Sequence, residues 1–306
     1  MEKPKITVIG SINMDLVTRT DTIPKVGETV LGEAFFTIPG GKGANQAVAA
    51  ARLGAEVTML GCVGEDSFGK ELKQHLSNQG INIEHIQTIP DTSTGIASIT
   101  LSEGDNSIIV VSGANSEVTP EFVSRFEDLI AQSDIILLQL EIPLSSVMEA
   151  VTIAKKHHVP VILNPAPIQQ LPKSLVLQAD YITPNEHEEE LLLSAKDLSD
   201  KEVKELKQKC IVTKGSKGVQ LYHGVEEQIH GYKVSAVDST GAGDCFNGAL
   251  AVFISKGAPL KEACQYANAA AALSVTKLGA QAGMPTLEEV KSFLRDSPHA
   301  SPINGS

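Results

Sequence analysis

The sequence predicts an α/β protein, a doubly wound and mostly parallel sheet flanked by helices, with a small β-sheet lid. Three observations carry this. Short β-branched runs alternate with helical patterns through most of the chain, the rhythm of β-α-β units. Helices carry their own end signals, glycine stops at Gly54 and Gly80 and a Thr119-Pro120 start. Two early stretches break the rhythm with strand patterning only. Hydrophobic residues make up 42% of the 306, enough core for a single domain over 1–306.

In chain order, "KITVIG" (5–10) is the first strand, and "GSINMD" closes it with Asn13 and Asp15. "GANQAVAAARLG" (43–54) is a helix, "EVTMLGCVG" (56–64) a strand and "DSFGKELKQHLSNQG" (66–80) a helix. "EFVSRFEDLIAQ" (121–132) is helical, and the apolar "DIILLQL" (134–140) is a buried strand. "LSSVMEAVTIAKKHH" (144–158) is a helix. "VPVILNP" (159–165) and "ADYITPN" (179–185) are strands, the second followed by an acidic helix. "CIVTKG" (210–215) is a strand, and "KGVQLYHGVEEQIHGYKV" (217–234) is a hairpin read as structural. "DCFNGALAVFISKG" (244–257) and "LKEACQYANAAAALSVTKLG" (260–279) are long helices. Strands from about 14–20, 29–38 and 94–112, the last with a polar glycine-containing turn, form a small separate sheet, either an edge extension of the main sheet or, the favoured reading, a lid. Such a cover excludes water from a transfer reaction.

Composition narrows the partners. A net charge of −12, 4% aromatic residues and no Trp argue against nucleic acid and against an anionic membrane surface. No run approaches the ~18 apolar residues of a membrane span, and the first apolar run is too short for a signal peptide. Cys62, Cys210, Cys245 and Cys264 form no metal-like spacing and read as free thiols. A cytoplasmic protein with a frayed polar tail is the expectation.

"VDSTGAGDCFNGAL" (237–250) is the strongest chemical signal. A glycine turn opens a helix, and the amides of Ala242, Gly243 and Asp244 would face outward as an anion site. Asp244 is either a partner for the helix dipole or a base beside that anion site. The second reading means phosphoryl transfer to an alcohol. The Walker loop, the dinucleotide fingerprint and the protein-kinase motifs are missing. "TKGSKG" (213–218) is a glycine turn at a strand's carboxyl end, where open sheets hold ligands. Asn185 and Glu188 stand three apart at a helix start, either as a solvated acidic end or facing one cation. Asn13, Asp15, Lys42, Asn45 and Glu141 converge at strand ends as a site for a neutral, hydroxyl-rich molecule.

"GSINMD", "GGKGANQAVAAARLGA", "NPAP", "TPNE", "TKGSKG", "DSTGAGDCFNGAL" and "KLGAQ" occur in the order that marks the ribokinase-like family of sugar and nucleoside kinases. The resemblance spans roughly residues 5–295. It implies an α/β core, a lid sheet that also makes a homodimer, and ATP-dependent phosphorylation of D-ribose at O5. It assigns Asp244 as base and Gly241, Ala242 and Gly243 as the anion hole. Asn13, Asp15, Gly41, Lys42, Asn45, Glu141 and Asp244 match sugar positions. Asn185, Thr213, Lys214, Gly215, Ser216, Gly218, Gly243 and Asn268 match nucleotide positions. Glu188 matches the magnesium–phosphate network. Asp238, Thr240, Ser274, Lys277, Gly279 and Gly283 match a monovalent-cation (K+) site built largely of carbonyls. Gly283 stands where some members carry a hydroxyl residue. Mg2+, K+ and ATP are thus the expected cofactors. Fructokinase or deoxyribokinase activity is the alternative. A non-catalytic sugar-binding regulator is the rival class, against which the intact Asp244 turn argues. An NAD-dependent enzyme would need the fingerprint that is missing.

Overall fold

The computed structural model describes residues 2–102, 105–195, 197–224 and 226–296. Residues 103 and 104 of the expected polar turn and most of the expected frayed tail lie outside them. Six parallel strands form the central sheet: β1 (Lys5–Ile9), β4 (Glu56–Gly64), β5 (Ile86–Ile89), β8 (Ile135–Leu138), β9 (Val161–Leu163) and β10 (Tyr181–Ile182). Their spatial order is β10-β9-β8-β1-β4-β5. Bridges from Ile182 to Cys210 and from Asn185 to Thr213 extend it to β11 (Ile211–Thr213). That strand pairs antiparallel with β12 (Val219–Leu221), which pairs with β13 (Glu227–Ile229).

The strands are apolar on both sides because both sides are covered. On β8, Ile135 and Leu137 join one core with Ile6 and Val8, whereas Ile136 and Leu138 join the other with Ile9 and Leu60. The first core is closed by α1 (Lys42–Arg52), α2 (Ser67–Asn78), α9 (Ala242–Ser255), α10 (Leu260–Ser274) and α11 (Leu287–Asp296). The second is closed by α3 (Pro120–Ser124), α4 (Glu127–Ala131), α5 (Leu144–Lys156), α6 (Lys173–Gln178), α7 (Glu186–Leu193) and α8 (Asp200–Lys209).

A separate mixed sheet holds β3 (Ala34–Gly40), β2 (Asn13–Arg19), β6 (Gly95–Ser102) and β7 (Asp105–Val111), in that order. Met14, Val17 and Ala97 are buried. Phe35, Phe36 and Ile108 through Val111 stay exposed.

Four expectations are corrected. Asn13 and Asp15 do not close β1; the chain leaves the central sheet after Ile9, and both residues pair in β2. The strand expected over 29–38 begins only at Ala34 and runs to Gly40. The helix expected over 121–132 is split into α3 and α4, with Phe126 turned out of helical geometry at the break. The helix expected over 260–279 stops at Ser274. There the Val275 carbonyl accepts from Val237 and Asp238 N–H at 2.7 and 3.1 Å, which draws the following turn toward Asp238.

Candidate active site

Polar residues gather where the parallel strands end. Ser11 lies just beyond β1, Gln139 and Glu141 beyond β8, Asn164 beyond β9, and Thr183 and Asn185 beyond β10. Two helices begin in the same region. Helix α1 starts after Gly41, and its first amide, Lys42 N–H, donates to Glu141 Oε2 at 3.0 Å. The Ser11 hydroxyl donates to the same oxygen at 2.5 Å. Helix α9 starts after Gly241, with no side chain capping it. Ala242 N–H donates to Ser239 O at 3.2 Å, which corrects the expectation that this amide is free. The amides of Gly243 and Asp244 remain in a first turn that offers them no intrahelical acceptor.

Asp244 is 6% exposed, and each of its oxygens has its own donor. Asn45 Nδ2 donates to Oδ2 at 2.9 Å and Gln46 Nε2 to Oδ1 at 3.1 Å. These contacts are possible because α1 runs close against α9. A Cβ on Gly248 would stand 2.6 Å from the Ala49 Cβ, so only glycine allows that approach.

Burial pushes the Asp244 carboxyl up, while Lys42 and the two amide donors pull it back without cancelling the rise. Asp15 is pushed up to about 7 by burial and then by Glu141 and Asp244, with Lys42 opposing. For Lys42, burial lowers the ammonium, but Asp244, Glu141, Glu188 and Asp15 outweigh it and hold the pKa above its ordinary value. The lysine is thus the positive centre of four carboxylates, three of them sugar-side candidates.

A cavity of about 380 Å³ is walled by Thr213, Gly215, Ser216, Gly218, Asn268, Ala242 and Gly243, all predicted positions. Lys214 and Asn185 are not on its walls. The late hairpin, read as structural, supplies Gly231, Tyr232 and Lys233 to this cavity. Asn185 and Glu188 form a reciprocal capping box at the start of α7, with bonds of 2.9 and 2.8 Å. Glu188 is 7% exposed, so the solvated reading fails for it, and burial raises its carboxyl. A second cavity, also about 380 Å³, is walled by Asn13 and Glu141 with Asn115 and Ser112. A third cavity, about 690 Å³, lies against α6 and α7 and holds none of the predicted groups. Size alone does not find the chemistry here.

The structure brings most of the predicted cation positions together. Asp238 Oδ1 accepts from Thr240 N–H and Oδ2 from Gly279 N–H, both at 2.9 Å. Gly283 N–H donates to Gly279 O at 3.3 Å, and Gly283 lies so close to the Ser274 carbonyl that a Cβ would collide with it. Burial opposes ionisation of Asp238, but the Thr240 and Gly279 donors win and lower its pKa. One carboxylate beside main-chain carbonyls is an all-oxygen set, which suits a hard cation rather than a soft, thiolate-seeking metal. Lys277 is exposed and pairs with Glu289 at 3.8 Å, apart from that cluster. No group of three or more His, Cys, Asp or Glu that could hold a metal exists among the described residues. No helix among them is long and apolar enough to cross a membrane. All four cysteines are buried and free.

Sequence reasoning missed Gln46, Gln139, Asn164, Gln281 and Asn115. Gln139 Nε2 donates to Gln46 Oε1 at 2.6 Å, and Gln281 Nε2 to Asn45 Oδ1 at 2.9 Å. Asn115 Nδ2 donates to Asn13 Oδ1 at 2.7 Å. A polar residue interrupting an apolar strand end, as in "DIILLQL" and "VPVILNP", was the available signal.

Comparison with known proteins gives the same direction. The pfkB family carbohydrate kinase model matches residues 3–287. The chain is 46% identical over 290 residues to the ribokinase of Bacillus subtilis, covering 94% of this chain and 99% of that one. It is 44% identical over 295 residues to the ribokinase of Lactococcus lactis, covering 95% and 97%. The ribokinase of Arabidopsis thaliana complexed with ribose and ATP superposes with a TM-score of 0.87 at 32% identity, covering 96% of this chain and 99% of that chain.

Proposed function

The chain belongs to the pfkB family of carbohydrate kinases, and from that premise we propose that it transfers the γ-phosphoryl group of ATP to O5 of D-ribose. One observation carries the chemistry. Asp244 has both oxygens held by amide donors and directly follows Ala242 and Gly243, which wall the 380 Å³ nucleotide-side cavity. A carboxylate fixed this way takes the proton from the sugar hydroxyl as the oxygen attacks. The first-turn amides of α9 and its dipole stabilise the charge spreading over the transferred group. Asn13, Asp15, Gly41, Lys42, Asn45 and Glu141 hold the sugar. Thr213, Gly215, Ser216, Gly218 and Asn268 hold the nucleotide, with Lys214 and Asn185 at its margin.

Mg2+ on the phosphates, supported through the Glu188 network, would neutralise developing charge. K+ among Asp238, Thr240, Ser274, Gly279 and Gly283 would order the turn that leads into α9. The donor set fits such an ion by its chemistry, an ionised carboxylate beside the Ser274 and Gly279 main chain; Lys277 fits least. The small sheet acts as the lid. Its exposed Phe35, Phe36, Ile108 and Ile109 support a homodimer through that sheet; a purely monomeric sedimentation profile would remove this part.

The experiment is ADP release with a panel of pentoses, hexoses and nucleosides, with and without potassium, and Asp244→Asn as the blank. Ribose should be the fastest acceptor, potassium should raise its rate, and the variant should be silent. Fructose or deoxyribose as the best acceptor would sink the ribose assignment. Ribose binding without any ADP would favour a regulator.

A further inference from the structure

The base is held by amides that are themselves held by amides. Asn45, Gln46, Gln139 and Gln281 are all at most 5% exposed. A primary amide has a donor end and an acceptor end of nearly equal shape, so contact alone does not decide which end faces a carboxylate. If the oxygen end of Asn45 or Gln46 faced Asp244, the ionised base would be repelled.

We propose that Gln139 and Gln281 are positioning residues for the base. Each fixes which way round an inner amide sits, so that two NH2 groups face Asp244. The inference rests on the reading of Asp244 as the base.

The hydrogen-bond directions carry this. Gln281 Nε2 donates to Asn45 Oδ1 at 2.9 Å, which leaves the Asn45 NH2 for Asp244. Gln281 is oriented in turn by His75, whose Nε2 lies 2.7 Å from Gln281 Oε1. An amide oxygen only accepts, so that ring nitrogen carries the hydrogen. Gln139 Nε2 donates to Gln46 Oε1 at 2.6 Å, which leaves the Gln46 NH2 for Asp244 and for Asn164 Oδ1, the latter at 3.2 Å. The Gln139 Oε1 is then buried without a partner among the described residues. An orphaned buried acceptor is a standing cost. A glutamine kept against that cost is kept for its donor.

The electrostatics explain why the direction matters. Asp244 is buried and faces Glu141 and Asp15 as well as Lys42. The Asn45 and Gln46 donors are two of the three influences that keep its carboxyl from rising further. Gln281 also lies between Gly279 and Gly283, so the relay joins the candidate cation loop to the base.

The test replaces each outer glutamine by a near-isosteric side chain without a donor, Gln139→Met and Gln281→Met. Both variants are compared with the unaltered chain for kcat, ribose KM, pH profile and melting temperature. The expected result is a loss of about tenfold in kcat, the lower end for a mispositioned base, with a smaller change in KM. The acid limb of the kcat profile should move to higher pH, because a base without facing donors binds its proton more tightly. Gln139→Met removes one orphaned oxygen and leaves Gln46 Oε1 without its donor, so the two changes offset and its melting temperature should not fall in step with kcat. An acid limb that stays in place in both variants overturns the proposal, whatever the melting temperatures do. If Gln281→Met does not fold, Gln139→Met still decides. Asp244→Asn separates the two levels. Full turnover in that variant sinks the base reading itself, while a silent Asp244→Asn beside unshifted methionine variants sinks only the relay.

Discussion

Helices α1 and α9 both begin after a glycine with positive φ, Gly41 at 89° and Gly241 at 75°, yet their N-termini do opposite things. Glu141 fills the first. Its carboxylate takes the Lys42 N–H, and Ser11 takes those of Gly43 and Ala44, at 3.3 and 2.9 Å. The second has no side-chain cap, and Gly243 has open space where a Cβ would sit. A helix N-terminus attracts one anion. Where the protein supplies it, the end is closed to an anionic ligand. Where it does not, the end is open to one. "GGKGAN" looks like a phosphate loop only while Glu141, a hundred residues away in the chain, is out of view.

The comparison breaks first at Gly241. Alanine there would adopt a left-handed conformation costing about 1–2 kcal/mol. Its Cβ would also stand 2.8 Å from the Ala280 Cβ. The turn into α9 must shift, and with it the first-turn amides proposed to face the transferred group. We expect kcat to fall about 10²-fold, the scale of losing one anion-hole donor, with ribose affinity much less affected. Steady-state kinetics with a direct ribose titration checks this. A variant with unchanged kcat would mean that the open end of α9 is not the anion site.

The sequence carried the fold because its signals are local. The strand over Glu56–Gly64 and the stops at Gly54 and Gly80 are written in consecutive residues. Asp244 was legible for the same reason, since turn, helix start and carboxylate follow one another. The amide relay was not legible. Gln281 and Asn45 are 236 residues apart, Gln46 and Asp244 198, and Gln139 and Gln46 93. Nothing in the neighbourhood of any of them says which pairs will meet. The overlong reading of α10 has the same origin. "SVTKLG" continues a helical pattern, but Asp238, distant in sequence, captures the Gly279 amide and Val275 accepts from the 237–238 turn. Lys42 was placed on the acceptor rather than on ATP from its neighbours in the motif. The electrostatics add Glu188 to its surroundings, so its field reaches both sides of the transfer.

The smaller effect belongs to the closed end. Glu141→Gln keeps an oxygen for Ser11 and for the Lys42 amide but removes the charge that complements the α1 dipole, worth about 0.3–1 kcal/mol. As one of the residues proposed to hold the sugar it should act mainly on ribose KM and change kcat by less than about threefold, against the larger kcat loss for a donor in the open end. Its clearer mark is on stability against pH. Asp15 titrates at about 7 in the folded protein, against an ordinary 3.8, and Glu141 is its largest cause after burial. Between those two values the folded chain holds a proton that the unfolded chain has released. Stability from this group is therefore lost as pH rises through that window, and the loss is complete above about 7. Without the Glu141 charge the folded pKa drops and the window narrows. Urea unfolding at about pH 5 and about pH 8 should show a smaller fall in stability for the variant than for the unaltered chain. An equal or steeper fall would show that Glu141 does not act on Asp15. A loss of turnover matching that of Gly241→Ala would erase the distinction between the two helix ends.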